Sequence, residues 1–556
     1  MSFKEKSGYY IPVGHTEGKQ IELKKALDIL RPVLENPKIG KIGQNAKYDY
    51  NVLMRHGVEV KGITFDTLLA AYVLNPGERG LSLDTLAFAE LGYEMMPISD
   101  LIGEGKNQSS FSTTPIPAAT FYAAEDSDIA FRLKKIFEKR LEKDKDLKRI
   151  FYEVEMPMIP ILGHMELKGV LCDGAYLRKL SKEMAGKIAK ISQSIFKAAG
   201  KHFNISSTQQ LADILFNKMG VSTEGIAKTK TGFSTAASEL EKLRGKAKIV
   251  DDILDYRELT KLKSTYVDAL PLLISPKDKR IHTTYNQTIA ATGRLSSIDP
   301  NLQNIPVKTA EGRKIRHAFF AEKGKTFLAL DYSQIELRIM AHISGDETFV
   351  DAFKHNKDIH STVAAQIHGK KQEDVTDEER REAKIINFAI MYGAGARGLS
   401  QQTSMNFAQA KEYVEKYFEI HPKVRATIDK YKKLAHENEY AQSLYGRKRF
   451  LPDVNASFPL LRSGAERAAI NMPFQGTNAD IMKLAMMKLI DEMPEISDMM
   501  ILQVHDELIF EIPDRDLKKY ASKIKKIMEN IFPLSVPLKV GVEAGKRWSD
   551  LEELDI

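Results

Sequence analysis

The sequence predicts a mixed α/β fold in which one sheet-forming unit is interrupted by a long helical block. Strand-like runs appear after residue 276, first as RIHTTYNQTIA and then as KTFLALD. Apolar residues at helical spacing dominate from about residue 335 to 500. Two further strand-like runs, ILQVHDELIF and VPLKVGVEAG, close the chain. Because strands lie on both sides of the helical block, we expect a discontinuous α/β unit with that block inserted.

The elements before residue 276 fall into two parts. Residues 1 to about 148 mix short strands, GYYIPV and VKGITF, with helices such as the one that holds ALDILRPVL. This part ends in a charged helix, FRLKKIFEKRLEKDKDLKRI, which is typical of a domain border. Residues from about 150 to 275 are predicted to be mostly helical, and SSTQQLADILF there begins with Ser and Thr caps.

Composition narrows the class of protein. A chain of 556 residues exceeds one ordinary core, so we expect two or more domains. The net charge of +7 is compatible with a polyanionic partner such as nucleic acid, although many unrelated proteins carry a similar excess. Cys172 is the one cysteine and has the apolar setting of a core residue. No run resembles a signal peptide or a membrane span, so we predict a cytoplasmic protein without a membrane partner.

Two acidic residues stand at the ends of apolar strands. In LQVHDELIFE, the ionisable residues 505–507 interrupt an apolar run, which costs free energy unless they have a use. Asp331 follows the strand KTFLAL directly. If Asp506 lies at a hairpin turn, the two carboxylates converge from neighbouring strands and suit a two-metal Mg²⁺ site, with ions about 3.5–4 Å apart, for phosphoryl transfer. The alternative is that Asp331 only caps the following helix.

A helix over RREAKIINFAIMYG is predicted to present a triphosphate-binding face. Arg380, Lys384 and Phe388 are spaced i, i+4 and i+8, so successive members lie about 40° apart around the axis. Arg and Lys suit the charged oxygens of a triphosphate, and a ring can stack on a base or sugar. Tyr392 follows next to a glycine that ends the helix. The alternative is a solvated basic face with aromatic residues in the core.

The chain resembles the family A DNA polymerases in three motif segments, DYSQIELR, RREAKIINFAIMYG and QVHDE. The likeness extends to ATGRLSSIDPNLQNIP, RAAINMPFQGTNADIMK, KLKSTY and YGRKRFLPD, and it runs in order over nearly the whole chain. Within the family it is greatest to the large fragment of bacterial DNA polymerase I. The resemblance implies a DNA-directed DNA polymerase that adds deoxynucleotides to a primer 3′-hydroxyl in replication or repair.

The resemblance also implies a right-hand polymerase fold of palm, fingers and thumb, preceded by a ribonuclease-H-like 3′→5′ exonuclease domain. The exonuclease-like domain would cover residues 1–148 and be N-terminally incomplete, and the polymerase domain would cover residues 149–556. The subdomains are expected at about 165–275 (thumb), 276–345 and 461–556 (palm) and 346–460 (fingers). The implied partners are primer–template DNA and deoxynucleoside triphosphates, and we expect a monomer.

The resemblance implies a role for each matched residue of the polymerase site. Asp331, Asp506 and the carbonyl of Tyr332 would hold two Mg²⁺ ions, with Mn²⁺ as a substitute, and Glu507 would support the site. Arg380 and Lys384 would bind the triphosphate and offset its developing charge. The nucleotide-binding set is expected to be Arg380, Lys384, Phe388, Tyr392, Glu336, Gln334 and His360. The DNA-binding set is expected to be Arg294, Arg467, Asn471, Gln475, His505, Lys261 and Lys263.

Three of these implied roles concern selectivity. Glu336 looks like a steric gate that crowds a 2′-hydroxyl, which argues against a single-subunit RNA polymerase. Phe388 would pack on the sugar, and in this family Phe rather than Tyr there goes with discrimination against dideoxynucleotides. Tyr392 would stack near the templating position. For Lys261 and Lys263, the alternative to phosphate contact is an ordinary surface lysine.

The first 148 residues resemble the proofreading domain of the same family, but they depart from its pattern. GQNAKYD supplies Asn45 and Asp49, and YAAEDSD supplies Tyr122 and Asp126. The first motif of a proofreading site, Asp-x-Glu, occurs nowhere in residues 1–148. Because that motif supplies two metal-ligating carboxylates, we predict little or no proofreading. The family member has lost the motif, or the sequence is an incomplete copy.

Three competing functions are weighed against a DNA polymerase. A nuclease active in residues 1–148 is disfavoured because the Asp-x-Glu acids are missing. A non-catalytic DNA-binding protein is disfavoured because Asp331, Asp506, Arg380 and Lys384 are all present. A single-subunit RNA polymerase is disfavoured by Glu336.

Overall fold

The mixed α/β class predicted from the sequence is confirmed. The structure is a computed structural model that describes residues 1–78, 80–230, 232–307, 309–403 and 405–556. Helices account for most of the described elements, and the largest sheet has five strands. None of the described helices combines the length and the apolar character needed to cross a membrane.

The N-terminal part is built around a pair of parallel strands. Its elements are α1 (Leu23–Leu34), β1 (Lys41–Gly43), α2 (Ala46–Arg55), β2 (Ile63–Asp66), α3 (Thr67–Leu74), α4 (Leu83–Leu91), α5 (Ser99–Ile102), α6 (Ile116–Leu141) and α7 (Lys145–Arg149). Asp66 is buried, and its carboxylate accepts hydrogen bonds from the N–H groups of Ala46 and Leu68, at 2.7 and 2.8 Å. One side chain therefore caps the starts of both α2 and α3.

The strand predicted over GYYIPV, residues 8–13, is wrong, because no strand covers them. Instead the N–H of Tyr9 bonds to the carbonyl of Met1, and the N–H of Ile21 bonds to the carbonyl of Pro12. A strand needs a neighbour for its backbone groups, and β1 and β2 pair only with each other. The predicted charged helix over residues 131–150 is also divided, since α6 ends at Leu141 and α7 begins at Lys145.

The next part of the chain is mostly helical, as predicted. A π-helical segment, Ile150–Glu155, leads into it. Its elements are α8 (Met158–Lys168), β3 (Val170–Leu171), α9 (Gly174–Ala199), α10 (Thr208–Ala212), β4 (Lys228–Thr229), β5 (Gly232–Phe233), α11 (Ala237–Glu241), α12 (Lys248–Leu262) and α13 (Leu270–Leu273). The Ser207 hydroxyl accepts a hydrogen bond from the Gln210 N–H and caps α10, as the SSTQQ run indicated.

The remaining elements alternate between sheet and helix. Before the helical block lie β6 (Arg280–Ile281), β7 (Thr284–Asn286), β8 (Ser296–Ile298), α14 (Ala310–His317) and β9 (Lys325–Tyr332). The block comprises α15 (Ile335–Ser344), α16 (Glu347–Lys354), α17 (Ile359–His368), α18 (Asp377–Met391), α19 (Ala396–Gln402), α20 (Phe407–Ile420), α21 (Pro422–Asn438), the hairpin β10 (Tyr440–Gln442) and β11 (Lys448–Phe450), and α22 (Pro459–Glu492). After it come β12 (Met500–Val504), β13 (Glu507–Pro513), α23 (Leu517–Glu529), β14 (Val540–Gly545) and β15 (Glu552–Glu553).

The five-stranded sheet joins segments from both sides of the helical block. Its order is β12-β13-β9-β14-β15, and all neighbours are antiparallel. The predicted discontinuous α/β unit is therefore correct. Along β9, Leu328 and Leu330 pack into one core while Phe327 and Ala329 pack into another, so both faces of the sheet are covered.

Candidate active site

The turn between β12 and β13 consists of His505 and Asp506, as the sequence predicted. Val504 pairs with Glu507 across it, and His505 has the left-handed φ of 55° that tight hairpin turns require. Gln503 holds this turn: its backbone N–H donates to the Tyr285 hydroxyl at 2.9 Å, and its side-chain amide donates to the His505 carbonyl. The Asp506 carboxylate therefore projects from a hairpin turn that these hydrogen bonds of Gln503 stabilise.

Three carboxyl groups meet at this end of the sheet. Glu507 lies directly opposite Asp331 in the register of β13 and β9, and the Tyr332 N–H donates to the Asp506 carbonyl at 3.1 Å. Burial, and then the charge of Asp506, raise the pKa of Asp331 to about 7. Burial, and then the charge of Asp331, raise the pKa of Glu507 to about 7. The carboxylates repel one another, so this end of the sheet favours a positive charge.

The donor set of the site fits a hard divalent cation. The oxygens that could hold such a cation are the carboxylates of Asp331 and Asp506 and the backbone carbonyl of Tyr332, next to Asp331 on β9. Among the described residues, no group of three or more His, Cys, Asp or Glu side chains is arranged to hold a metal ion. An incomplete set of carboxylate oxygens suits Mg²⁺, which keeps several waters and accepts phosphate oxygens as further ligands.

Glu336 connects the carboxylate turn with helix α18. It lies in the first turn of α15, after Gln334, whose φ of 52° begins that helix. Its carboxylate accepts hydrogen bonds from the Tyr392 hydroxyl at 2.6 Å and from the Arg294 guanidinium. Burial raises the pKa of Glu336, while Arg294 opposes that shift. Arg294, expected to contact DNA, is thus paired with the predicted gate in the structure.

Helix α18 carries Arg380, Lys384 and Phe388, so the helix predicted over these residues is present. A capping box starts it, with the Thr376 hydroxyl and the Glu379 carboxylate each bonding to the other's backbone N–H. The Arg380 guanidinium donates to Asp358 at 2.7 Å, and Lys384 is exposed. Phe388 is half-buried, with its ring 6.3 Å from that of Tyr392, which ends the helix.

His360 does not fit the accessible role expected of it. Its ring is fully buried beneath α18, where Nδ1 bonds to the Asn387 amide at 3.1 Å and Nε2 has no partner. Burial lowers its pKa to about 4. The residue lies on α17, within the predicted helical block, and its local pattern does not reveal that the face it occupies packs inward. The expected contact of the ring with a triphosphate stays a prediction, and it requires the covering residues to move.

The predicted DNA-binding residues fall into two groups. Arg467, Asn471 and Gln475 are spaced i, i+4 and i+8 on α22 and form an exposed to half-buried row. His505, which is also exposed, belongs to a different element, the β12–β13 turn. Lys261 is exposed and Lys263 pairs with Asp268 at 2.7 Å, both at the end of α12.

Comparison with known proteins decides the family. A family model described as "DNA polymerase family A" matches residues 174–550, which include four of the five strands of the sheet, the carboxylate turn, α18 and α22. The chain belongs to DNA polymerase family A. A second model, described as "3'-5' exonuclease", matches residues 1–142.

Individual members of family A are similar over long stretches. DNA polymerase I of Chloroflexus aurantiacus is 43% identical over 553 residues, which are 98% of this chain and 58% of that protein. Thermostable DNA polymerase I of Thermus aquaticus is 46% identical over 449 residues, which are 80% of this chain and 54% of that protein. The chain therefore spans a little over half the length of these relatives.

A solved family A structure has the same fold. It is the POL domain of Pol1 from M. smegmatis, in complex with DNA primer-template and dNTP. It matches this chain with a TM-score of 0.87 and 35% identity, over 96% of this chain and 90% of that chain.

The exonuclease-like part of this family A chain keeps two half-sites. Asn45 and Asp49 lie at the start of α2, and Tyr122 and Asp126 lie on α6. Burial, and then Asp66, raise the pKa of Asp49 to about 6; burial, and then Glu125, raise that of Asp126 to about 6. No hydrogen bond joins the two pairs among the described residues, and their role in an exonuclease site stays a prediction.

Two residues near the carboxylates were missed by sequence reasoning. Asn478 donates its side-chain amide to Asp506 at 2.7 Å, and Glu543 on β14 adds negative charge beside Asp331. A signal for Asn478 exists, because it follows Arg467 by eleven residues and lies only about 20° away around the axis. It thus continues the row on α22. Glu543 appeared only as part of a closing strand.

Proposed function

We propose that this family A chain is a template-directed DNA polymerase. The observation that carries the proposal is a row of hydrogen bonds between helix α18 and the carboxylate turn. Tyr392 donates to Glu336 at one end of the row, and Asn478 donates to Asp506 at the other. Asn478 also reaches Glu336 at 3.5 Å, which closes the row. The relatives named DNA polymerase I, and the related complex with DNA primer-template and dNTP, support the same reaction.

In the proposed reaction, the primer 3′-hydroxyl attacks the α-phosphate of a deoxynucleoside triphosphate, and pyrophosphate leaves. Asp331, Asp506 and the Tyr332 carbonyl would hold two Mg²⁺ ions, with Mn²⁺ as a substitute. When bound, such ions supply positive charge that stabilises the attacking and leaving oxygens. The chain contributes these ligands from one strand, β9, and from a turn braced by hydrogen bonds, so their positions are set before substrate binds. Glu507, opposite Asp331, would support the site.

Helix α18 would bind and orient the nucleotide. Arg380 and Lys384 would bind triphosphate oxygens and offset charge that develops on pyrophosphate. Asp358 holds only the Nε and Nη2 edge of the Arg380 guanidinium, which leaves other donors for phosphate. Phe388 would pack on the sugar and Tyr392 near the templating base. The region from about 346 to 460 would act as fingers that close on a correct nucleotide.

The rest of the polymerase region would hold primer–template DNA. The α22 row of Arg467, Asn471 and Gln475, with Arg294, would contact the duplex near the new pair. Minor-groove acceptors are nearly the same for all correct pairs, so such donors test pair shape without reading sequence. The helices at about 165–275 would be the thumb, where Lys261 contributes salt-sensitive affinity for phosphates.

Sugar selection tests the assignment of the gate. We expect Glu336→Ala to lower the preference for a deoxynucleotide over the matching ribonucleotide by about 10- to 200-fold, because a cavity replaces the side chain that crowds the 2′-hydroxyl. The measurement is the ratio of kcat/KM for dCTP and CTP in single-nucleotide primer extension. Glu336→Gln, which keeps the volume, is the matched control and should retain most of the preference. An unchanged ratio in Glu336→Ala would remove the gate role.

We further propose that this chain proofreads little or not at all. The absence of Asp-x-Glu from residues 1–148 supports this, because that motif supplies two metal-ligating carboxylates. A 5′-labelled primer with a mismatched 3′ end, annealed to template with Mg²⁺, should keep its length without nucleotides, while a matched primer with four deoxynucleotides lengthens. A mismatched primer that shortens would show that the exonuclease-like part has other ligands. A matched primer that never lengthens would contradict the polymerase assignment itself.

A further inference from the structure

Asn478 occupies a position between two functional carboxylates that lie on different elements. It is on α22 and only 1% exposed. Its Nδ2 lies 2.7 Å from Oδ1 of Asp506, at the β12–β13 turn, and 3.5 Å from Oε1 of Glu336, on α15. The shorter contact is a charge-assisted hydrogen bond, and the longer one is at the limit of hydrogen bonding.

The chemistry of this position requires an amide. Asp506 and Glu336 are close enough for the charge of Asp506 to raise the pKa of Glu336, so the two carboxylates repel each other. A primary amide offers two N–H donors without adding charge, whereas a hydroxyl offers one and an aliphatic side chain offers none. Of the neutral side chains of this size, asparagine alone can donate to both acids.

The acceptor of the same amide has no protein partner. Oδ1 of Asn478 is buried without a hydrogen bond, in a cleft that Arg294, His505 and Asp506 also line. An amide oxygen turned toward two carboxylates would be repelled by them, which fixes the amide with Nδ2 toward the acids and Oδ1 away. An unpaired buried acceptor costs free energy, so the position is not optimised for stability alone.

We propose that Asn478 is a positioning residue that holds the metal-ligating carboxylate of Asp506 and the gate carboxylate of Glu336 as one unit. The inference rests on the proposed polymerase function and extends it. It ties divalent-cation binding at the turn to sugar selection at α15, through one side chain on a third element. Residues that orient a ligand in this way alter metal affinity or activity about 10- to 100-fold when they are removed.

Two variants separate positioning from packing. Asn478→Ala removes both donors and leaves space, while Asn478→Asp keeps the shape and replaces the donor by an acceptor. If positioning is the role, kcat falls about tenfold in Asn478→Ala and further in Asn478→Asp, with the KM for the deoxynucleotide nearly unchanged. If the side chain only fills space, the isosteric Asn478→Asp retains more activity than Asn478→Ala, and the proposal is overturned.

A binding measurement tests the same inference without catalysis. Mn²⁺ is titrated into the full chain and free Mn²⁺ is followed by electron paramagnetic resonance. We expect the midpoint for Asn478→Ala to rise about tenfold, and sugar selectivity in primer extension to fall in the same variant. Met486→Leu, a core change two turns along α22, is the control and should alter neither. A wild-type Mn²⁺ midpoint in Asn478→Ala overturns the proposal.

These measurements distinguish a failure of the proposed polymerase function from a failure of the positioning role of Asn478. If the wild-type chain extends no primer, the polymerase function is lost, yet the Mn²⁺ midpoints still report on positioning. If the wild-type chain extends primers and Asn478→Ala keeps its kcat, Mn²⁺ midpoint and sugar selectivity, the positioning role alone is wrong. Thermal unfolding of each variant identifies a loss of activity that comes from a loss of fold.

Discussion

Asp506→Ala is expected to lower the rate of nucleotide addition at least about a thousandfold while leaving the fold and DNA binding intact. The carboxylate projects from a two-residue turn beside Asp331, so its removal takes away one of the two aspartates that would hold the metal ions. Its removal also relieves repulsion: Asp506 raises the pKa of both Asp331 and Glu336. The melting temperature should therefore be unchanged or higher, which separates a chemical defect from unfolding.

Single-turnover extension of a labelled primer measures the rate, and fluorescence anisotropy of the same primer–template measures DNA binding. Asp498→Ala is the matched control, because this exposed aspartate lies just before β12 in the same segment and has no carboxylate neighbour in the site. It should extend primers at the wild-type rate. Asp331→Ala should reproduce the Asp506→Ala defect. Synthesis within tenfold of wild type in either active-site variant would refute the assignment of these carboxylates.

The central sheet and its acids could be predicted because their signals are local. The strand KTFLAL runs straight to Asp331, and the apolar runs on both sides of His505 and Asp506 indicate a strand pair with its turn at these polar residues. Strand period and turn position together determine which face each carboxylate occupies. The same holds for Arg380 and Phe388, whose relation follows from helix geometry alone.

Other features escaped prediction because they depend on partners far away in the chain. GYYIPV has the alternation of a strand but finds no neighbouring strand. His360 lies on the predicted helix, but burial against α18 decides what its ring can reach. Asn478 meets a residue 142 positions earlier, and nothing within its own helix indicates that distance. Local pattern predicts an element and its faces; it does not predict which surface another segment covers.

The clearest case of such long-range pairing is a buried ion cluster behind the site. Glu155 accepts hydrogen bonds from Lys483 at 2.6 Å and from Arg447 at 2.5 Å, and Arg447 also donates to Asp480 at 2.8 Å. All four side chains are at most 3% exposed. Their formal charges balance. They join the π-helical segment before α8, the β10–β11 hairpin and α22.

This cluster also supports the loop that carries Arg294. Gly293 has a φ of 85°, and a Cβ added there would lie 2.4 Å from Nε of Arg447. The backbone next to Arg294 therefore rests directly on the guanidinium. Burial alone would raise the pKa of Glu155, yet Lys483 and Arg447 hold it at about 2; burial lowers the pKa of Lys483 to about 8. Each charge remains only because its partners are present.

Glu155→Gln is therefore expected to lower the free energy of unfolding by about 3–5 kcal/mol, because it leaves a buried net positive charge on Lys483 and Arg447. Urea unfolding followed by circular dichroism measures the loss. Glu492→Gln is the control, on α22 together with Lys483: its pair with Lys488, at 3.1 Å, is about half exposed, so its loss should change stability by less than about 1 kcal/mol.

A double variant distinguishes charge imbalance from lost packing. Glu155→Gln combined with Lys483→Met removes one charge of each sign and leaves the Arg447–Asp480 pair balanced. If the uncompensated charge is the cause, the double variant should be more stable than Glu155→Gln alone, by about 1–3 kcal/mol. If the two losses of unfolding free energy simply add, lost packing and not uncompensated charge explains the effect of Glu155→Gln.

Because the cluster also supports the backbone beside Arg294, Glu155→Gln should slow primer extension at temperatures where the chain is still folded, and the double variant should restore part of that rate.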